Sequence, residues 1–293
     1  MKKQLGDSPA PIVTKQKQFI SLMPAKAPPP KAPRIVDLEF GLPPPMVPNK
    51  SVSERLGSPS IVIGIDIETY DWQTKEKLKG RMGQFGFYTL RSEDNLKYAS
   101  IVQIGWVIGD TQPESIPMIS KEYIVKPDGF RISSKAEKYH GISHEKVMKD
   151  GVPLKTMLKE LFDDISAPHL REARLVAHHL EFDAGIIRFE LDRCNLLEIN
   201  DQWWASMMRK GICTMDPYIG RWVRTCFGKD PGPETAMNVM SLQELLKWTM
   251  PQSDHLLAKH HAAGADAHMH RLLYIGLLKL MSKALHPAHR HTP

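Results

Sequence analysis

The run Ile61–Glu68, IVIGIDIE, constrains this chain more than any other stretch. Side chains alternate faces along a strand, and both faces here are aliphatic. Such a strand has to be central in a sheet and covered on both sides, so helices must flank the sheet. The same run carries Asp66 and Glu68, two positions apart and therefore on one face. Two carboxylates on a buried face repel each other and lose hydration, at a cost of several kcal/mol per ion. A hard divalent cation such as Mg²⁺ offsets that cost best. For a D-x-E pair alone, solvated edge charges are the plainer alternative.

Further elements follow along the chain. YASIVQIGWVIGD reads as a second strand, SKEYIVKP as a third, ARLVAHH as a fourth and GICTMD as a short fifth. In PLKTMLKELFDDI, Leu154, Met157, Leu158, Leu161, Phe162 and Ile165 share one helical stripe. EFDAGIIRFELDRCN predicts a helix, SLQELLKWT opens with a Ser241–Glu244 capping box, and GADAHMHRLLYIGLLKLMSKAL predicts a long helix. Three strands followed by alternating helix and strand predict a mixed α/β sheet with helices on its faces.

About half of the 23 prolines fall before residue 60, a density that opposes both core and sheet. Residues 1–57 therefore read as a disordered Pro- and Lys-rich tail. The folded domain is expected over 58–284 and a frayed end over 285–293. The net charge of +6 concentrates in the tail, where nine Lys/Arg face four Asp/Glu. This segment reads either as an electrostatic arm or docking segment for a protein partner, or as a linker. Cys194, Cys213 and Cys226 form no C-x-x-C, which argues against a disulfide framework or zinc ribbon and fits an intracellular, reducing compartment. No apolar run is long enough to span a membrane, and no secretory core stands at the N-terminus.

Two more acids sit where helical periodicity turns them inward. Asp183 shares a face with Ile186 and Ile187, and Asp266 with Met269 and Leu273. A single acid at a helix start is accounted for by the helix dipole. Four acids converging beside one central strand suit a pair of divalent ions. Such a pair clamps the attacking and leaving oxygens of a phosphodiester in in-line displacement. A base is also needed to take the proton of water, and KHHAAGAD supplies His260 and His261 just ahead of Asp266.

With these residues assembled, the chain resembles the DEDD superfamily of 3′-to-5′ exonucleases. It is most similar to the His-type branch, the group of ribonuclease T and the epsilon proofreading subunit of bacterial DNA polymerase. The D-x-E-T motif stands as Asp66-Ile67-Glu68-Thr69, the second motif as AHHLEFD ending at Asp183, and H-x-x-x-x-D as His261 to Asp266. QIGWVI, YHGISHEKV and SLQELLKW match intermediate segments, so the likeness covers roughly Ile61 to Met281. It implies a ribonuclease H-like fold and hydrolysis of single-stranded nucleic acid, RNA or DNA, from the 3′ end to nucleoside 5′-monophosphates. It also implies that Asp66, Glu68, Asp183 and Asp266 hold two Mg²⁺ ions, with Mn²⁺ as a substitute, and that His261 is the general base. His260 is then a neighbour. Ile67, Thr69, His140, Ile142 and His179 would lie on the substrate side. Two departures stand out: His179 replaces the usual Asn, and Tyr70 follows D-x-E-T where a small residue is usual.

The largest departure is the connection between the first two strands, residues 70–99, usually a short turn. Lys75, Lys77, Lys79, Arg81 and Arg91 stand there among Trp72, Phe85, Phe87 and Tyr88. Basic residues interleaved with aromatics suit single-stranded nucleic acid, with Trp72 and Phe85 as stacking candidates. A hairpin whose aromatics pack on the body is the alternative. For the whole chain, the competing expectations are a catalytically silent nuclease fold acting in nucleic-acid or protein binding, and an endonuclease of the wider ribonuclease H-like group.

Overall fold

The structure, a computed structural model, describes residues 51–71, 100–112, 114–229 and 239–285. The strands are β1 Ile61–Thr69, β2 Ile101–Asp110, β3 Ile119–Ile124, β4 Arg174–Ala177 and β5 Ile212–Cys213. The helices are α1 Val52–Leu56, α2 Ser134–His140, α3 His144–Asp150, α4 Leu154–Ile165, α5 Leu180–Arg193, α6 Leu197–Lys210, α7 Pro217–Cys226, α8 Leu242–Thr249, α9 Asp254–Leu257 and α10 Ala263–Leu285. The strands form one five-stranded sheet in the order β3-β2-β1-β4-β5. β1–β2 and β2–β3 pair antiparallel, while β1–β4 and β4–β5 pair parallel. This is the mixed α/β sheet the sequence predicts, with the aliphatic strand β1 at its centre.

The alternation of β1 separates two cores. Ile63, Ile65 and Ile67 pack with Ile104, Trp106 and Ile108 against α4, α5 and α6, and the six-residue stripe of α4 is wholly buried there. Val62 packs on the opposite side with residues of α7, α8 and α10. Asp66 and Glu68 share that second side with Gly64, because all three are even-numbered positions of one strand.

α10 lies directly on this side. A Cβ at Gly64 would overlap the carbonyl of Ala267, and one at Gly105 would overlap the backbone of Ala263 and Gly264. Gly105 is the β2 partner of Asp66. The missing side chains therefore let the first turns of α10 descend onto the sheet beside the carboxylates. Any larger residue at either position would lift Asp266 away from Asp66.

Several helices were not evident in the sequence. α7 begins with Asp216 capping the Tyr218 N–H at 2.8 Å and Pro217 at its first position, a usable start signal. α1 has a complete capping box between Ser51 and Glu54, hidden in a proline-dense surrounding. α1 lies before residue 58, where the folded domain was expected to start, yet it packs on the body. Leu56 is fully buried, and its carbonyl accepts the Tyr274 hydroxyl at 2.7 Å. Arg55 pairs with Asp216 at 2.7 Å, with both side chains at most 8% exposed, and its guanidinium lies 4.2 Å from the Tyr218 ring centre.

Burial raises the Asp216 pKa even with Arg55 beside it. Arg55→Ala would leave that carboxylate with only helix N–H partners, at a cost of about 3 kcal/mol in urea unfolding. A deletion through residue 50 is expected to preserve the melting temperature, and one through 57 to lower it sharply. Residues 1–50, most of the 70–99 connection (72–99) and residues 286–293 lie outside the described residues. Among the described residues, no helix is long and apolar enough to cross a membrane.

Candidate active site

Past Gly64, β1 runs on beyond its last pairing with β4. Two of the backbone groups in this stretch are taken by side chains. The Ile67 N–H donates to Asp183 Oδ1 at 3.2 Å, and the Ile65 carbonyl accepts from His270 Nδ1 at 2.8 Å. Asp183 sits in the first turn of α5 and is thus drawn onto β1 between Asp66 and Glu68. Asp266, in the first turn of α10, arrives from the second side. Both carboxylates are 3% exposed.

These residues line a cleft of about 880 Å³. Ile67, Thr69, His140, His179 and His261 line it too, so the structure brings together most of the expected site. Ile142 is placed elsewhere, buried in a small core with Val102, Ile132, Ala136 and Val147. Trp72 and Phe85 lie outside the described residues.

Ligand oxygens of Asp66, Glu68 and Asp266 all fall within 4.8 Å of one another. Burial, then the neighbouring carboxylates, push Asp66 well above the usual carboxylate range and Glu68 up to about 8. Burial also raises Asp183, opposed by the Ile67 N–H. Glu68 in this state holds its proton at neutral pH unless a cation takes its place, and the same forces favour the protonated form of Asp66 and Asp183. The donors are hard oxygens, crowded and poorly solvated, and they fit Mg²⁺ or Mn²⁺.

His261 has a backbone φ of 71°, a conformation uncommon outside glycine. Its N–H donates to Asp266 Oδ2 at 3.0 Å, which holds that turn. Its ring lies against Tyr139 at 4.0 Å and against His260 at 3.8 Å between ring centres. Burial and the His260 charge lower its pKa, with Asp266 opposing them. His260, expected to be a bystander, is bonded through Nδ1 to Asp266 Oδ1 at 2.8 Å. His140 bridges backbone: Nδ1 accepts the Ile142 N–H at 3.0 Å and Nε2 faces the Thr69 carbonyl at 3.3 Å. His179 stands at the N-cap of α5, stacked on Phe182, and burial lowers its pKa to about 4.

His270 is the site residue that sequence reasoning missed. Nδ1–H donates to the Ile65 carbonyl, which leaves Nε2 to accept the His178 N–H at 3.2 Å. Burial lowers its pKa to about 4, consistent with this neutral tautomer. Nε2 also lies 4.0 Å from Asp66 Oδ1. The signal was present in DAHMH, where His270 follows Asp266 by one helical turn. His270→Ala should leave a buried carbonyl and a part-buried N–H unpaired. The expected loss is about 2–3 kcal/mol in urea unfolding, and His270→Gln should recover part of it.

No family model matches the chain, and no curated protein sequence matches it. Solved structures do. An exonuclease I structure superposes with a TM-score of 0.51 at 15% identity, over 78% of this chain and 42% of the other. The Escherichia coli exonuclease I complex with a dA16 oligonucleotide gives 0.50 at 16% identity, over 78% and 42%. This chain therefore spans less than half the length of those proteins. At such identities the likeness is one of architecture: the five-stranded mixed sheet and its flanking helices are similar to the exonuclease I fold.

Proposed function

We propose that this protein is a metal-dependent 3′-to-5′ exonuclease of the His-type DEDD branch, acting on single-stranded nucleic acid. One observation carries the reading. Asp66 and Glu68 from β1, Asp183 from α5 and Asp266 from α10 meet in one cleft, and His261 adjoins Asp266. Nothing in the packing requires buried carboxylates to converge there, and their mutual repulsion costs stability unless the site works with cations.

Asp66, Glu68, Asp183 and Asp266 would hold two Mg²⁺ or Mn²⁺ ions. When bound, such ions supply positive charge for the developing oxyanions and acidify water. The chain's own residues do the remainder. The Ile67 N–H orients Asp183, and the His261 N–H orients Asp266. The His261 imidazole, neutral at pH 7 because burial lowers its pKa, takes the proton from the attacking water. Exonuclease I, the structural neighbour, was solved with a bound dA16 strand, which favours a single-stranded substrate here. The exposed Tyr139 ring at the cleft offers a stacking face, and Trp72 and Phe85 are proposed to add others. Residues 1–50 are proposed as a basic arm.

Chromatography of the products from matched RNA and DNA single strands tests this reading. Nucleoside 5′-monophosphates should accumulate with Mg²⁺ and vanish with EDTA. Oligonucleotide products, or none, would reject it.

A further inference from the structure

Histidines crowd the cleft: His140, His178, His179, His260, His261 and His270 all line it. Several are occupied by the fold. His140 and His270 use both ring nitrogens on backbone groups, and His178 Nδ1 faces Thr214 Oγ1 at 3.0 Å. His260 and His261 differ, because their partner is a carboxylate shared with the proposed hydrolytic centre. Ligand atoms of His260, His261 and Asp266 lie within 4.8 Å of one another. Zinc bonds of about 2.0–2.2 Å set ligand atoms on one ion about 3.3 Å apart, so closing on an ion takes about 1.5 Å at most. His260 is partly exposed, with 20% of its side chain accessible, and its Nδ1 already lies 2.8 Å from Asp266 Oδ1.

We propose that His260, His261 and Asp266 form a second metal site that takes Zn²⁺ in preference to Mg²⁺ and switches the hydrolytic centre off. The donor set decides the preference. Two imidazoles and one carboxylate suit a borderline ion with a fourth position open, whereas Mg²⁺ favours oxygen ligands and gives up water reluctantly. Asp266 belongs to both ligand groups, the other being Asp66, Glu68 and Asp266. An ion on the histidine side therefore draws Asp266 from the carboxylate side and occupies the His261 lone pair that would accept a proton. Binding at this site is independent of the hydrolytic reading. Inhibition rests on it.

The test uses the full-length chain with His286, His289 and His291 replaced by alanine, so that the C-terminal imidazoles do not compete. Co²⁺ is titrated in excess Mg²⁺ and followed by its visible ligand-field absorption, then displaced with Zn²⁺. A single Co²⁺ should bind and be displaced. His260→Ala should weaken it by more than about 100-fold, while Asp66→Asn should not weaken it. Circular dichroism checks folding, and His260→Gln replaces His260→Ala if the latter is unfolded. Zn²⁺ should inhibit hydrolysis by the parent chain, with more Mg²⁺ restoring it, and should inhibit the His260 variant less. Loss of Co²⁺ in Asp66→Asn with retention in the His260 variant would place the ion among the carboxylates and overturn the proposal, as would no Co²⁺ binding. The expected Co²⁺ pattern in a chain without hydrolysis would support the site and reject only the hydrolytic reading.

Discussion

Asp66→Asn is expected to reduce Mg²⁺-supported hydrolysis to background and, in metal-free buffer, to raise the melting temperature. The two effects have one cause. Asp66 is held well above the usual carboxylate range by burial and by Asp183, Asp266 and Glu68. Removing its charge relieves the burial penalty and the repulsion by the neighbouring carboxylates in the metal-free cleft, which raises stability there. The same substitution deletes a ligand, so the Mg²⁺-induced rise in melting temperature should shrink.

The pH dependence has a definite sign. Glu68, raised to about 8, and Asp66 and Asp183, both raised, hold protons in the folded chain at pH values where the unfolded chain has lost them. Metal-free stability is therefore full below about pH 4 for this contribution and falls as pH rises toward 8. Mg²⁺ replaces those protons, so its stabilising effect should be larger at pH 8 than at pH 6. Thermal melts at both pH values, with Mg²⁺ and with EDTA, check this. An equal Mg²⁺ effect in wild type and Asp66→Asn would contradict the ligand assignment.

His261→Ala should lower the rate by about 10²–10⁴ with little change in KM. Neutral imidazole is the active form, so the wild-type rate should rise with pH through a value below about 6.5, because burial and His260 depress the pKa. The alanine variant should lose this acidic limb. His261→Ala keeps a Cβ at a φ of 71°, so the backbone cost of that turn remains, and thermal melts check that the variant is folded. Rate–pH profiles of the His260 and His261 variants separate the two neighbours. Loss of the limb in His260→Ala with its retention in His261→Ala would reverse the assignment.

How much of this was legible in the sequence depended on how local each cause is. The alternation of IVIGIDIE alone put β1 at the centre and Asp66 and Glu68 on one side, because strand geometry acts within a few residues. The inward faces of α5 and α10 followed from helical spacing in the same way. The close seating of α10 did not follow, since the role of Gly64 and Gly105 emerges only once Ala267 and Ala263 are stacked on them. His270 was missed because its partners are backbone groups, one of them 205 residues away, which no motif records. α1 was missed for a compositional reason. Its five residues follow a proline-rich stretch, and the contacts that hold them, Asp216 and Tyr274, come from distant helices.

A single-stranded oligonucleotide labelled at one end and incubated with the full-length chain and Mg²⁺ measures the proposed activity most directly. With a 5′ label, the account expects a ladder shortening one nucleotide at a time from the 3′ end. With a 3′ label, it expects the label to appear at once as mononucleotide. Asp183→Asn should leave both strands intact. Labelled internal fragments from either strand, or intact strands with wild-type protein shown to bind them, would contradict it.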